Sequence, residues 1–150
     1  MGKNHYLLCL LYLVILLNLS SHSYADSGVT SLPSPDGNWT VESYLNTTGI
    51  FTLPISSDPI TATYNHETLS GSSGCNEYTT QYTAANGALI IVPPELTKNV
   101  CPPIILSQED AYFHALSDTA FYSLNETHLV LMDDDEHVLI LYTPANISQA

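Results

Sequence analysis

The residues that could carry chemistry in this 150-residue sequence are a few acids, histidines and cysteines. Four consecutive acids, "DDDE" at 133–136, precede His137 and raise the question of a cation site. Calcium loops alternate acidic ligands with spacer residues and contain a glycine, and this run has neither feature. We therefore interpret the acidic run as a solvated hairpin turn and predict no metal site.

Catalytic chemistry finds little support in the other polar residues. His66 and Glu67 are adjacent and Ser107 carries a hydroxyl, but no Gly-x-Ser-x-Gly elbow surrounds a serine. The spacing of a zinc-binding helix, i to i+4, is not found among the histidines that follow the N-terminal region, His66, His114, His128 and His137. We predict a protein that is not an enzyme, with no catalytic residue and no cofactor.

The N-terminus has the pattern of a signal peptide over residues 1–25. Lys3 supplies the positive charge, "LLCLLYLVILLNL" is the apolar stretch, and Ser23 and Ala25 are small residues at positions −3 and −1. A transmembrane helix needs about 20 apolar residues, and this run is shorter. We predict cleavage after Ala25, export to the periplasm or the medium, and no membrane span after cleavage.

Two cysteines, Cys75 and Cys101, remain in the chain after the predicted cleavage. They cannot fill a tetrahedral metal site without added ligands, and a catalytic thiol would need an activating base beside it. An exported chain meets an oxidising compartment, where an even pair of cysteines usually forms a bridge. We predict a Cys75–Cys101 disulfide, which would close a loop of about 25 residues and contribute roughly 3 kcal/mol to stability.

The predicted mature chain, 26–150, is strongly acidic. It contains all fifteen Asp and Glu residues and one Lys, Lys98, with no Arg, which gives a formal charge of −14. Binding to nucleic acid or to an anionic membrane surface requires Lys and Arg against phosphate, so both partner classes are excluded. A basic protein partner remains open, as does the simpler interpretation that the charge keeps an exported protein soluble.

Alternating apolar and polar residues divide most of the mature chain into short strands. The first is "NWTVESYLN", in which Trp39 is predicted to be buried, and the last two, "HLVLM" and "HVLILYT", flank the acidic run as a hairpin. Asn86-Gly87 marks another hairpin turn. One helix is predicted at about 107–117, capped by Ser107, because the two prolines before it oppose an earlier start.

Many short strands and one helix indicate an α+β domain that is mostly antiparallel β, with a strongly curved or barrel-like sheet around its core. A Ser/Pro/Gly-rich flexible leader is predicted at 26–37, the domain at 38–143 and a polar tail at 144–150.

Four segments resemble the META domain family, the family of the heat-shock protein HslJ: "GSSGCNEYTTQY", "LTKNVCPP", "SQEDAYFHAL" and "LVLMDDDEHVLILY". The resemblance covers nearly the whole mature chain. It assigns to the family's motif positions Trp39, Gly74, Cys75, Asn76, Tyr78, Thr97 and Cys101.

The resemblance implies a small, β-rich fold with one helix that is often exported, is associated with envelope stress, and has no established enzymatic activity. It also implies structural roles for the motif. Gly74 lets the backbone turn with a positive φ or a close approach, and Asn76 hydrogen-bonds the backbone locally. The Cys75–Cys101 bridge would then tie the curved strand to the entrance of the helix.

We expect a monomer that works in the envelope or outside the cell through an unknown protein partner. Two alternatives remain open. One is a small-ligand binder with a cavity inside the β structure, and the other is an inhibitor of a secreted protease that uses an exposed loop such as 54–59. Tyr64, Tyr78 and Tyr82 alternate along their strands and would line either such a pocket or a packed core.

Overall fold

The computed structural model describes residues 32–55 and 57–145. The predicted signal peptide, the first part of the predicted leader and most of the predicted tail lie outside the described residues. The described chain forms one helix and ten strands, which are β1 (Gly37–Leu45), β2 (Phe51–Thr52), β3 (Thr61–Asn65), β4 (Thr68–Ser72), β5 (Glu77–Ala85), β6 (Ala88–Ile91), β7 (Glu95–Leu96), α1 (Pro103–Ser117), β8 (Phe121–Leu124), β9 (Leu129–Met132) and β10 (Val138–Pro144).

Eight of the strands close into an antiparallel barrel. Their order is β1-β3-β4-β5-β6-β8-β9-β10, and β10 returns to pair with β1. The short strands β2 and β7 pair with the end of β1 and the beginning of β5. Closure pairs the strands around the ring, which confirms the predicted fold class, an α+β domain with a barrel-like antiparallel sheet and a helix.

Strand β1 shows how alternation builds the barrel wall and where alternation fails. Trp39 and Val41 are buried, as the pattern predicts. A register shift between Val41 and Ser43, opposite β10, then inserts one extra residue. Uninterrupted alternation from Trp39 and Val41 would turn Leu45 toward the core. Because the bulge reverses the side on which the following residues lie, Tyr44 is buried instead and Leu45 is only partly buried.

The barrel interior is filled by tyrosines and aliphatic side chains. The rings of Tyr64 and Tyr82 meet edge to face with their centroids 5.1 Å apart, and those of Tyr64 and Tyr142 with theirs 6.4 Å apart. Trp39 is 7% exposed, and its indole N–H donates to the Pro35 carbonyl at 3.0 Å. Buried aliphatic residues pack among these rings, including Ile60, Leu69, Leu89, Leu129, Leu131 and Ile140.

Helix α1 begins at Pro103, one turn before the predicted start at 107, and ends at Ser117. Proline is tolerated at the first helical position, because its missing N–H would have no partner there. The predicted cap at Ser107 is wrong, since its hydroxyl donates to the Pro103 carbonyl at 3.0 Å from inside the helix. The added turn places Ile105 among the buried residues.

The described part of the predicted leader lies against the barrel. Pro35 is buried, and an Asp36 carboxylate oxygen accepts hydrogen bonds from the Tyr82 hydroxyl at 2.6 Å and the His66 backbone N–H at 2.9 Å. At the other terminus, the Ala145 N–H donates to the Asn38 carbonyl at 2.8 Å. The packed unit therefore extends beyond the predicted domain limits of 38 and 143.

We predict that the domain loses stability steeply above about pH 10, where exposed tyrosines ionise. Burial raises the pKa of all seven described tyrosines, Tyr44, Tyr64, Tyr78, Tyr82, Tyr112, Tyr122 and Tyr142. Their contribution is therefore complete below about pH 10 and falls as the unfolded chain releases protons that the folded chain retains. Each fully buried ring then costs up to about 1.4 kcal/mol per pH unit.

Denaturant unfolding at pH 8 and pH 11, followed together with phenolate absorbance, measures this effect. Lysines contribute little in this range, because the predicted mature chain has one. Phenolate absorbance that appears near pH 10 in the folded protein, with no loss of stability, would contradict the prediction.

Candidate functional site

Glu109, a carboxylate on α1 that is 8% exposed, lies against Asn76, one of the motif residues. Its oxygens accept the Asn76 backbone N–H at 3.1 Å and the Asn76 side-chain amide at 2.9 and 3.0 Å. They also accept the hydroxyl of Ser73, which is itself buried. We call Ser73, Asn76, Thr97, Gln108 and Glu109 the polar clamp. Its acceptors and donors satisfy one another, as a buried charge requires.

Asn76 links the helix to the segment that follows strand β7. Its side-chain oxygen accepts the Thr97 hydroxyl at 2.9 Å and the Asn99 backbone N–H at 2.8 Å. The Thr97 hydroxyl oxygen in turn accepts the backbone N–H of Glu77 at 3.1 Å. Asn76 and Thr97 therefore fasten the segment after β7 to the beginning of β5.

Gly74 is required by both conformation and space. Its φ is +93°, and a Cβ atom there would overlap the side chain of Gln108 and the Asp58 carbonyl. The amide of Gln108 fills that space, because it donates to the Asp58 carbonyl at 2.9 Å and to the Ser73 carbonyl at 3.2 Å. Its oxygen accepts the Ile55 N–H at 2.8 Å, so Gln108 fastens Ile55 and Asp58 to the helix.

Cys75 lies between Gly74 and Asn76 and is joined by a disulfide to Cys101, with the two Cα atoms 6.0 Å apart. That separation is ordinary for a disulfide. Cys101 stands two residues before the first residue of α1. The bridge therefore connects the loop between β4 and β5 to the start of the helix that carries Glu109.

Tyr78, like the motif residue Trp39, belongs to the core. Its hydroxyl donates to the Thr61 carbonyl at 2.9 Å and contacts the Tyr112 hydroxyl at 2.8 Å, which contacts the Tyr142 hydroxyl at 2.9 Å. Burial raises the pKa of each of these three phenols, so they remain neutral across the physiological range. Tyr64, Tyr78 and Tyr82 are core residues that are at most 4% exposed.

The acidic run forms the turn between β9 and β10. One oxygen of Asp133 accepts the backbone N–H groups of Asp135 and His137 at 3.0 and 2.8 Å, and the other lies 3.2 Å from the His137 ring. Asp133 therefore closes the turn, while the next three acids are exposed. Within residues 32–55 and 57–145, no group of three or more His, Cys, Asp or Glu side chains is arranged to hold a metal ion.

The other residues considered for catalysis do not come together. His66 and Glu67 form the turn between β3 and β4, whereas Ser107 is bonded within α1. No hydrogen bond joins them in the described part of the chain.

A surface groove of about 290 Å³ lies between β2 and α1, and its lining includes Tyr44, Leu53, Ile104 and Ala111. None of the described helices is long and apolar enough to cross a membrane.

Ser73, Gln108 and Glu109 are the clamp residues that the sequence did not reveal, although a signal was present for the two helical ones. Both stand at helical spacing from the buried stripe, since Gln108 precedes Ala111 by three residues and Glu109 precedes Tyr112 by three. Polar residues on the buried stripe of a helix need partners from elsewhere in the fold. Those partners lie 33 or more residues away in the sequence, where helical periodicity carries no information.

Comparison with known proteins gives a family and a fold. A family model for the META domain matches residues 31–146. An NMR structure of a protein from Burkholderia xenovorans is 24% identical, with a TM-score of 0.60 over 74% of this chain and 83% of that chain. A crystal structure of a DUF4847 family protein from Bacteroides vulgatus is 15% identical, with a TM-score of 0.55 over 73% and 93%. No curated protein matches the chain.

We predict that Glu109→Gln destabilises the domain by about 2–3 kcal/mol, because it replaces an acceptor with an amide donor that faces other donors. Asp110→Asn is the matched control, since Asp110 is the exposed neighbour and its change should stay within about 0.5 kcal/mol. Denaturant midpoints of both variants test the clamp. Equal midpoints would show that Glu109 does not hold the loop.

We predict no free thiol in the exported protein when it is unfolded without reductant. Removing the bridge with Cys75→Ala and Cys101→Ala should cost roughly 3 kcal/mol, mainly because the unfolded chain gains freedom. Reduced wild-type protein is the control and should match the double variant. Two titratable thiols in the exported protein would disprove the bridge.

Proposed function

The chain belongs to the META domain family, and from that premise we propose that it is an exported, non-enzymatic domain with an envelope- or stress-related role. In this proposal it works through contacts with another protein, in the periplasm or outside the cell.

The disulfide supports the export part of the proposal. Bridges between cysteines persist in oxidising compartments and are rare in the reducing cytosol. The Cys75–Cys101 bridge joins two segments that the polar clamp also holds together. The N-terminal signal pattern predicts the same compartment independently.

One observation carries the non-enzymatic part, namely that the motif residues have structural partners. Glu109, the only ionisable member of the polar clamp, is enclosed by the donors of Ser73 and Asn76. A catalytic acid or base must instead reach a proton of its substrate. Tyr78 is likewise engaged by Thr61 and Tyr112 inside the barrel. The motif therefore serves the fold, and the outer surface is left for recognition.

The surface charge favours a basic partner. Among the described residues, the three carboxylates that lie within 4 Å of a basic side chain all have a histidine ring as the partner: Asp118 with His114 at 3.0 Å, Glu42 with His128 at 3.3 Å and Asp133 with His137 at 3.2 Å. The exposed carboxylates around them have few internal cations with which to pair. A partner rich in Lys and Arg would be attracted to this surface and oriented by it.

We expect the protein in the envelope fraction or the medium, with Asp26 as its first residue. N-terminal sequencing of the fractionated protein measures this. A variant with Leu13→Arg and Leu16→Arg, which breaks the apolar stretch, should retain residues 1–25 and remain in the cytosol. Wild-type protein recovered from the cytosol with Met1 intact would defeat the export proposal.

Photo-crosslinking of the exported protein in its own cells tests the protein contact. We expect a discrete crosslinked adduct, and we expect its yield to fall when unlabelled protein is added as a competitor for the partner. Turnover of a substrate by the purified protein, lost on mutation of one residue, would overturn the non-enzymatic assignment.

A further inference from the structure

We propose that the outer wall formed by β8, β9 and β10 binds an amphipathic segment of the partner protein, with Lys or Arg at both ends of an apolar stretch. This inference rests on the proposed function, because it names the surface and the chemistry of that protein contact. We call this surface the apolar face. Its outward side chains are Phe121, Val130, Met132, Val138 and Leu141.

The strand register places these five side chains side by side. Phe121 pairs with Met132, which pairs with Val138, and in the next row Val130 pairs with Leu141. Neighbouring strands lie about 4.8 Å apart and successive outward residues about 6.8 Å apart, so the five side chains form one patch. Phe121 is 38% exposed and Val138 is 37% exposed, while the other three are partly exposed.

Outward positions on the wall formed by β1, β3, β4 and β5 are polar, whereas Ile90 on β6 is a single exposed apolar residue that pairs with Thr83. Thr40 pairs with Thr61 across β1 and β3, and Thr63, Ser70 and Thr79 pair in sequence across β3, β4 and β5. The outward positions of this barrel therefore accept hydroxyl side chains without loss of the fold. The apolar residues on β8, β9 and β10 are not needed for closure, and a contiguous exposed apolar patch marks a contact surface.

Acidic side chains stand at both ends of the apolar face. At one end the turn after β9 exposes Asp134, Asp135 and Glu136. At the other end Glu42 lies 3.3 Å from His128, the residue before β9, and Glu126 is exposed in the turn after β8. An apolar centre between two acidic ends is complementary to an apolar segment with cations at both ends.

The same charges argue against other occupants of the apolar face. A second copy of this chain would bring the acidic ends of two molecules together, and like charges at an interface are costly. An anionic lipid surface would repel them in the same way. A cationic protein segment gains from both the apolar centre and the acidic ends.

Binding of a defined peptide to the purified exported protein tests the surface. The probe is a fluorescein-labelled amphipathic peptide of about 18 residues with Leu on one helical face and Lys residues at both ends. We expect saturable binding that weakens as salt rises. Two matched peptides, one with Glu for every Lys and one with Gln for every Leu, should bind at least about tenfold more weakly.

Substitutions separate the apolar face from the overall charge. Phe121→Thr with Val138→Thr should weaken binding about tenfold, because it removes the two most exposed apolar contacts. Thr63→Ala with Thr79→Ala changes the polar wall and should leave binding unchanged. Val130→Thr is a second variant that keeps a β-branched side chain of similar shape. Asp134→Asn with Asp135→Asn should weaken binding and flatten its salt dependence.

Equal binding by wild type and by both apolar-face variants would overturn the inference, as would equal binding of the Glu peptide. Concentration-dependent dimerisation that the Lys peptide does not reverse would assign the face to a second copy instead. A crosslinked adduct that persists in the Phe121→Thr and Val138→Thr variant would reject this surface and leave the proposed function intact. Cytosolic wild-type protein would defeat the proposed function whatever the peptide binds.

Discussion

The carboxylate of Glu109 is the group on which the arrangement of the helix, the loop after β4 and the segment after β7 depends. A charge removed from water costs several kcal/mol unless hydrogen bonds replace the lost hydration. Ser73 and Asn76 supply those bonds, which fixes the position of the loop against α1. The side-chain oxygen of Asn76 is then directed at Thr97 and Asn99, and this fixes the segment that leads from β7 toward the helix.

Three successive residues in that loop solve three different physical problems. Gly74 provides the positive φ and the space that the Gln108 amide occupies. Cys75 provides a covalent link to the residues before the helix, and Asn76 compensates the buried carboxylate. The disulfide reduces the freedom of the unfolded chain, whereas the carboxylate and its donors act in the folded state. The two contributions therefore do not substitute for each other.

Local patterns in the sequence predict the parts of this fold that local interactions determine. Alternation identifies the strands, and Trp39 is buried where its strand pattern places it. The alternating pattern does not predict the bulge in β1, because the bulge arises from the register with β10, about 100 residues later in the chain. Local sequence patterns do not predict the role of Glu109 for the same reason, since its hydrogen-bond donors lie 33 and 36 residues earlier in the chain.

The helix start and the leader show a second reason why sequence reasoning fell short. Proline opposes a helix interior but suits the first helical position, so Pro103 permitted two starts and the burial of Ile105 favoured the earlier one. Asp36 lies in the Ser/Pro/Gly-rich stretch predicted as a flexible leader, yet its carboxylate accepts a hydrogen bond from the hydroxyl of Tyr82 in the barrel wall. In both cases the deciding contact is tertiary. The order of strands around the ring, with β10 closing on β1, is likewise a property of the whole chain.

The closed barrel separates the residues that determine the fold from those that are free to serve recognition. The inward positions are occupied by packed core side chains and the polar clamp by groups that satisfy one another's hydrogen bonds, while outward positions carry hydroxyls on one wall and apolar groups on another. An exposed apolar wall ordinarily favours self-association. Here the formal charge of the predicted mature chain, from fifteen acids and one lysine, opposes contact between copies, and Asp134, Asp135 and Glu136 concentrate that charge beside the apolar wall. In the proposed mode of recognition, the acidic composition would let the apolar wall discriminate between copies of this chain and a basic partner.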